Sequence, residues 1–182
     1  MKPPVTFQGA KVRLAGDILD AIQVSSDDIF WDGCCGSGAV TLKLLERGHP
    51  ADQIVMVDSG PWALFWDAIG TGAFSLSTLD EVLAGAPEDP ALVRAWVEEL
   101  HAQPVSLDMA PYVFLVLQAA AFGGKAVGLE GRRWRTSSFR SYWLPTETSS
   151  RRSPVNPMMP MPRTIRERVA RVAEAAQGVT VL

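Results

Sequence analysis

Two carboxylates and a group of glycines between residues 32 and 58 have the types and spacing of a nucleotide-type binding turn. Asp32 opens a glycine-rich segment that ends at Gly38, and Asp58 follows Gly38 by twenty residues. Glycine is needed where a backbone turns tightly and approaches a ligand. A carboxylate about twenty residues further on can accept hydrogen bonds from ribose hydroxyls. We therefore expect Gly36 and Gly38 to admit a ligand to the backbone, and Asp58 to hold its ribose.

The elements that would position these residues form a crossover. The apolar run at 28–31 predicts a strand, the amphipathic run at 39–48 predicts a helix, and the run at 54–57 predicts a second strand. Strand, glycine turn, helix, strand and acid follow one another as they do in a mononucleotide-binding unit. The pattern predicts an α/β fold with a parallel sheet.

The charge around the turn favours a cationic nucleoside over a dinucleotide. A dinucleotide site usually has G-x-G-x-x-G, with a helix N-terminus aimed at pyrophosphate, whereas Thr41 stands here at the third glycine position. Asp32 would repel a pyrophosphate but suit the amino group of S-adenosylmethionine (SAM), which carries no phosphate. The sequence predicts SAM as cofactor. NAD, or glycines that serve packing alone, are the alternatives.

Further helices are predicted at 12–22, 62–69, 76–83, 91–101, 112–122 and 164–176, with a strand at 179–182. The aromatic helix at 62–69 is expected to be mostly core. The helix at 112–122 is apolar on nearly every side and should be buried. Residues 123–163 show no periodicity, and we interpret them as a long functional excursion of a single domain that spans residues 1–182.

Composition is typical of a soluble globular protein, with 47% hydrophobic and 20% charged residues. No apolar run reaches the length of a membrane span, and the first residues lack the apolar core of a signal peptide. Two adjacent cysteines do not make a disulfide framework. These features indicate a cytoplasmic protein without a membrane partner. We expect Cys34 and Cys35 to pack in the turn, and His49 and His101 to be surface residues rather than metal ligands.

Charge is distributed unevenly along the chain. Residues 1–124 carry six Lys/Arg and sixteen Asp/Glu (6 − 16 = −10), whereas residues 125–182 carry eleven and four (11 − 4 = +7). A basic segment in which aromatic residues are interleaved is typical of contacts with phosphates and unpaired bases. A solvated segment without such a role is the alternative. The pattern predicts DNA as a partner, with Trp134 either a base-stacking residue or part of the core.

Four segments, in this order, resemble the adenine-specific DNA methyltransferases of the DNA adenine methylase type. Phe7-Gln8-Gly9-Ala10-Lys11 resembles the W/F-x-G-G/A-K block, residues 32–38 the D-P-F-x-G-x-G turn, residues 57–61 the N-D-x-N-P block, and residues 120–125 the start of the DNA-engaging loop. Gly33, Cys34 and Val57 depart from the family's Pro, Phe and Asn.

This resemblance implies a Rossmann-like SAM-dependent methyltransferase fold. The residues it implies for SAM binding, together with those named above, are Phe7, Gly9, Lys11, Asp32, Gly36, Gly38 and Asp58. The basic residues expected to contact DNA are Lys125, Arg132, Arg133, Arg135 and Arg140.

The family's catalytic tetrapeptide, Asp-Pro-Pro-Tyr, does not occur in this sequence. The amine of adenine is a poor nucleophile, so the flipped base must be held by groups that accept from the amine and stack on the ring. We therefore predict no catalytic residue in this chain and an incomplete parallel sheet. A second polypeptide or a continuation would complete the sheet, at an apolar edge near residues 178–182, and would supply the tetrapeptide.

Two other functions stay open. The chain could be a catalytically inactive, methyltransferase-like module that binds DNA or protein and regulates it. It could also be a complete small enzyme that uses Asp32, Asp58 and Lys11 on another substrate.

Overall fold

The computed structural model describes residues 1–136, 139 and 159–182, and it divides into two compact units. The first unit consists of residues 1–4, 9–75 and 167–182. The second consists of the described residues within 5–8 and 76–166. The single domain expected over residues 1–182 stays a prediction. Arg140, one of the residues expected to contact DNA, lies outside the described residues, as does most of the expected excursion.

A parallel sheet lies at the centre of the first unit. Its three strands pair in the order β1 (Phe30–Asp32), β2 (Ile54–Met56) and β5 (Thr180–Val181). β1 runs beside β2 with Trp31 opposite Val55. Parallel neighbours require a crossover, and α2 (Ala39–Glu46) provides it between β1 and β2. The predicted strand–turn–helix–strand order is therefore present.

Three more helices contribute to this unit: α1 (Ala15–Ile22), α3 (Pro61–Gly70) and, from residue 167 onward, α7 (Pro162–Ala176). Pro61 occupies the first turn of α3, where its missing N–H costs no helical hydrogen bond. Along α7, Val169, Val172 and Ala176 are fully buried. Their spacing of three and four residues is that of one apolar helix face.

Aromatic residues of α3 fill the core of the first unit, as expected. Trp62, Phe65 and Trp66 are buried. The rings of Phe65 and Trp66 meet edge to face with centroids 4.9 Å apart, a favoured geometry for aromatic pairs. α3 is thus held mainly by burial of large rings.

The second unit is built around a predominantly apolar helix. α6 (Ala110–Ala120) has all eleven residues buried, which confirms the prediction of a buried helix. α4 (Leu76–Ala84) and α5 (Val93–Ala102) both contact it. Leu79, Val93 and Val97 are the fully buried residues that these two helices contribute to the core.

A short hairpin follows α6 where the sequence shows no periodicity. β3 (Gly128–Glu130) and β4 (Arg133–Arg135) pair antiparallel, and Gly131 has φ +60° in the connecting turn. Successive side chains of a strand point to opposite faces, so Trp134 is buried while its two arginine neighbours are exposed. Trp134 stacks on Phe114 with ring centroids 6.4 Å apart. Trp134 is therefore part of the core.

One buried amide joins three segments of the second unit. The Gln118 side chain is fully buried, and its Nε2 donates to the carbonyls of Thr6, Gly124 and Lys125 at 3.0–3.3 Å. Its Oε1 accepts from the N–H of Val127 at 3.1 Å. A polar group this deep is tolerated because both its donor and acceptor sides are satisfied.

The described residues confirm a mixed α/β protein with a small parallel sheet and seven α-helices. Among them, no helix combines the length and the apolar character that crossing a membrane requires.

We predict that Gly70→Ala destabilises the protein. A Cβ at position 70 would lie 2.2 Å from the backbone oxygen of Val179, so α3 and the chain before β5 would have to separate. The expected loss is about 1–3 kcal/mol in the free energy of unfolding, measured by urea denaturation.

Gly16→Ala is the matched control, because Gly16 is also helical and its added Cβ would meet only Arg47, at 3.8 Å. Helix propensity alone should make this variant neutral or more stable, by up to about 1 kcal/mol. Equal destabilisation by both substitutions would contradict the proposed clash.

Candidate cofactor site

The two acids singled out in the sequence lie at neighbouring strand ends in the first unit. Asp32 is the last residue of β1, and Asp58 follows the end of β2 by two residues. Both strands run in the same direction, so their carboxyl ends meet at one edge of the sheet. In open parallel sheets, that edge is where ligands bind.

The Asp58 carboxylate fastens the glycine turn to the end of β2. Oδ2 accepts from the N–H of Gly36 at 3.0 Å, and Oδ1 accepts from the N–H of Gly60 at 2.8 Å. The N–H of Cys35 adds a bond to the carbonyl of Val57 at 3.0 Å. An ionised carboxylate has about four acceptor positions, so Asp58 can hold the turn and still accept from a ligand hydroxyl.

Asp32 points to the helix that follows the turn. Its Oδ2 accepts from the Thr41 hydroxyl at 2.8 Å. Burial raises the pKa of Asp32 above its usual value. The Thr41 bond opposes that shift, and the negative charge of Asp58 adds to it. Burial of a carboxylate disfavours its charged form, so a cationic group bound beside Asp32 would stabilise that charge.

Gly38 is required by packing against the core. It has φ +71°, and a Cβ there would lie 2.3 Å from Cζ2 of Trp66. The expected role of Gly38 in admitting a ligand stays a prediction. The structure shows a close contact between the start of α2 and α3.

Gly36 has both backbone polar groups engaged. Its N–H donates to Asp58, and its carbonyl accepts from Nε1 of Trp66 at 2.8 Å. Its φ of +48° lies in the left-handed region, which glycine adopts without a steric penalty. Because both groups are engaged and Gly36 is buried, its expected contact with a ligand stays a prediction.

The two cysteines of the turn differ in their surroundings. Cys35 is buried, as expected, and burial together with the charges of Asp58 and Asp32 raises the pKa of its thiol. A thiol held protonated is a poor nucleophile. Cys34 is exposed, so the expectation that it packs in the turn is wrong.

Ser37 is a residue that the sequence did not single out. It is 1% exposed, and its Oγ has no hydrogen-bond partner among the described residues. A buried hydroxyl without a partner is costly. It lies between Gly36 and Gly38, so it is a polar atom inside the turn that remains unsatisfied.

Thr41 and Trp66 were also missed as site residues, although each had a signal in the sequence. Thr41 is the third residue of α2, where its hydroxyl reaches back to the strand end. Trp66 lies in the aromatic stretch after Pro61, which was expected to be mostly core. Which backbone group its N–H would reach depends on tertiary packing.

The first resembling block is divided between the two units. Gly9 and Lys11 belong to the first unit, where both are exposed and Lys11 Nζ donates to the carbonyl of Gly9 at 2.9 Å. Phe7 belongs to the second unit and is half-buried. The described geometry therefore brings together Asp32, Gly36, Gly38 and Asp58 as one constellation.

The basic residues expected to contact DNA belong to the second unit and are exposed where described. Arg135 pairs with Glu130 at 2.7 Å, and Arg132 Nε donates to the carbonyl of Val105 at 3.0 Å. Lys125 and Arg133 are likewise exposed. The hairpin thus presents cations to solvent, two of which have protein partners.

The two histidines are less exposed than the sequence predicts. His49 is buried, so its expected surface position is wrong, and His101 is half-buried. Across residues 1–136, 139 and 159–182, no group of three or more His, Cys, Asp and Glu side chains could hold a metal ion.

Comparisons with known proteins identify no relative of the chain: neither a family model nor a curated protein matches it.

We predict that Asp32→Asn stabilises the folded protein at neutral pH. The folded-state pKa of Asp32 is raised above its usual 3.8, so the folded state binds this proton more tightly than the unfolded state. Stability contributed by this group is therefore lost as pH rises above the usual pKa. Asn keeps an acceptor for Thr41 and removes the charge.

Urea unfolding at several pH values tests this. The stability of the variant should exceed that of the wild type above the raised pKa, and the difference should shrink as pH falls through the raised pKa toward 3.8. Thr41→Val is the partner variant, because it removes the donor and leaves the buried carboxylate unsupported. A wild type that is the more stable protein at pH 7 would contradict this prediction.

Proposed function

We propose that the chain is the SAM-binding portion of an adenine-specific DNA methyltransferase with a Rossmann-like fold. On this proposal it binds SAM and DNA, and the groups that hold the adenine are supplied by a second polypeptide or a continuation. The observation that supports it most is the pair of carboxylates, Asp32 and Asp58, at neighbouring ends of parallel strands on either side of a glycine turn.

The chemistry of this pair fits SAM better than a phosphate ligand. Asp32 is half-buried and Asp58 lies close enough for its charge to raise the pKa of Asp32. Two neighbouring acids make an anionic site, which favours the cationic amino group and sulfonium of SAM and opposes a pyrophosphate.

Each acid has a proposed role that its geometry allows. Asp58 would accept from the ribose hydroxyls, because its two protein hydrogen bonds leave acceptor positions open. Asp32 would face the methionine amino group from the end of β1. Gly9 and Lys11 are second contributors taken over from the family resemblance, as is Phe7.

The transfer itself needs little from this chain. SAM carries its own leaving group, so catalysis consists mainly of placing the adenine amine in line with the methyl group and accepting its proton. In this proposal the described residues bind and orient the donor. The acceptor pocket, with the family's Asp-Pro-Pro-Tyr, belongs to residues outside these 182.

Exposed cations on the β3–β4 hairpin support DNA as the proposed second ligand. Arg133 and Arg135 point to the same exposed face of β4, where they can neutralise phosphates. Trp134 lies in the core and therefore does not serve as a base-stacking platform.

We predict that the purified chain binds SAM in calorimetry and that Asp58→Ala weakens this binding by about 1–3 kcal/mol. The carboxylate would lose its bonds to the ribose. Because Asp58 also holds Gly36 and Gly60, Asp58→Asn is measured in parallel. It keeps one acceptor for the turn and should weaken SAM binding less than Ala.

Asp52→Ala is the control for loss of one negative charge, since Asp52 is exposed before β2. Its SAM affinity should equal that of the wild type. No heat of SAM binding to the wild-type chain would end the proposal.

We predict that Arg133→Ala weakens DNA binding equally for different DNA sequences and lowers the salt slope of log K by about 1. Arg135→Ala should have a smaller effect, because Arg135 is already paired with Glu130. Fluorescence anisotropy over a salt series measures both. Affinity that is independent of salt would contradict a phosphate-contacting role.

Methylation assays separate the proposal from the inactive regulatory module. A methyltransferase portion should yield methylated adenine when a polypeptide bearing Asp-Pro-Pro-Tyr is added. DNA binding without transfer under any such combination would favour the regulatory module.

A further inference from the structure

A small cavity lies at the end of α2 that is farther from the glycine turn. Its volume is about 120 Å³, and its wall includes Leu19 of α1, Leu44 of α2 and His49, which follows α2. All residues of the wall belong to the first unit. α2 has eight residues, so roughly 12 Å of helix separate this cavity from the turn. The cavity is therefore distinct from the proposed SAM site.

One side of the cavity wall is apolar. Leu19 and Leu44 are buried there, and Val24, just after α1, is half-buried. Water against an apolar wall finds few hydrogen-bond partners, and moving apolar ligand atoms out of water is favourable. This side therefore favours a ligand with an apolar chain.

The imidazole of His49 brings a buried polar group to the same wall. His49 is 7% exposed, and its Nε2 has no hydrogen-bond partner among the residues that the structure describes. A buried polar atom without a partner is costly. An imidazole always carries at least one ring N–H, so a ligand oxygen that accepts from this ring would reduce that cost.

Arg47 adds a cation that the protein holds in place. Its Nη1 pairs with Oδ1 of Asp20 at 2.7 Å, and its Nη2 donates to the carbonyl of Gly16 at 3.2 Å. A guanidinium has more N–H donors than these two contacts use. Asp20 is largely exposed, so water screens part of its charge. Guanidinium and imidazole donors on one wall favour a carboxylate as the polar group of the ligand.

The volume of the cavity limits the size of the ligand. An engineered cavity of about 150 Å³ in another protein holds benzene, and the present cavity is somewhat smaller. A molecule of about six non-hydrogen atoms therefore fits. A carboxylate with a short aliphatic chain has this size and combines the two chemical properties that the wall favours.

We propose that this cavity binds a short aliphatic carboxylate. The carboxylate lies on Arg47 and His49, and its chain lies against the apolar side of the wall. This inference goes beyond the proposed function, because the cavity is a second ligand site that requires neither SAM nor DNA.

A titration of the isotope-labelled full chain with sodium butyrate, followed by NMR chemical shifts, tests the proposal. The amide signals of Arg47, Gly48 and His49 should shift, with a Kd of about 1 mM for so small a ligand. Butyramide has the chain without the charge, and inorganic phosphate has charge without the chain. Each should bind at least about tenfold more weakly than butyrate.

Three results of this titration would overturn the inference. Butyrate might cause no shifts in the wild-type chain, or shifts confined to other segments. Butyramide or phosphate might bind as tightly as butyrate, which would show that the cavity does not select for both chemical groups.

His49→Phe keeps a ring in the wall and removes its N–H, so it should weaken butyrate binding about fivefold. Lys43→Gln is the control for loss of a cation near the cavity, since Lys43 lies one turn before Arg47 on α2 and outside the cavity wall. Its Kd should stay within about twofold of the wild type. Equal weakening by the two substitutions would contradict a role for His49.

Val24→Phe supplies a second test that does not depend on the His49 variant. The larger side chain should fill the cavity and abolish butyrate binding. Urea unfolding without butyrate first establishes that each variant is folded. A folded Val24→Phe variant that binds butyrate like the wild type would place the ligand elsewhere and overturn the inference.

Discussion

The two hydrogen bonds that the Asp58 carboxylate accepts from Gly36 and Gly60 fix the turn after β1 to the end of β2. Other contacts depend on that position. With Gly36 in place, its carbonyl meets the Trp66 indole, and Gly38 brings the start of α2 against the same ring. Turn, crossover helix and α3 therefore form one packed arrangement. The Asp58 carboxylate thus holds the turn in place and, on our proposal, also binds the ligand.

Much of the first unit could be predicted because its signals are local. Apolar runs predict the strands, the glycine turn followed by an acid predicts the crossover, and Pro61 predicts the start of α3. The partners of the site residues could not be predicted in the same way. The Thr41–Asp32 bond spans nine positions and the Trp66–Gly36 bond spans thirty, and both depend on how the turn packs against the helices that follow it.

The second unit shows where pattern analysis fails. β3 and β4 have three residues each, which is too short for an alternation to stand out among arginines and glycines. In the first unit, the burial of His49 was missed because an isolated histidine carries no periodic signal. The net charge of the basic segment also overestimates how many of its cations are available to a ligand, since Arg132 and Arg135 have partners within the protein.

The Gln118 network has a consequence for how the polypeptide acquires its structure. Thr6 and Gln118 are 112 positions apart, yet the carbonyl of one satisfies the amide of the other. During translation, Thr6 cannot make this contact until α6 and the segment up to Val127 have left the ribosome. Closing so long a loop costs conformational entropy before the contact contributes any stabilising free energy. The N-terminal segment is therefore expected to be among the last parts of the second unit to become ordered.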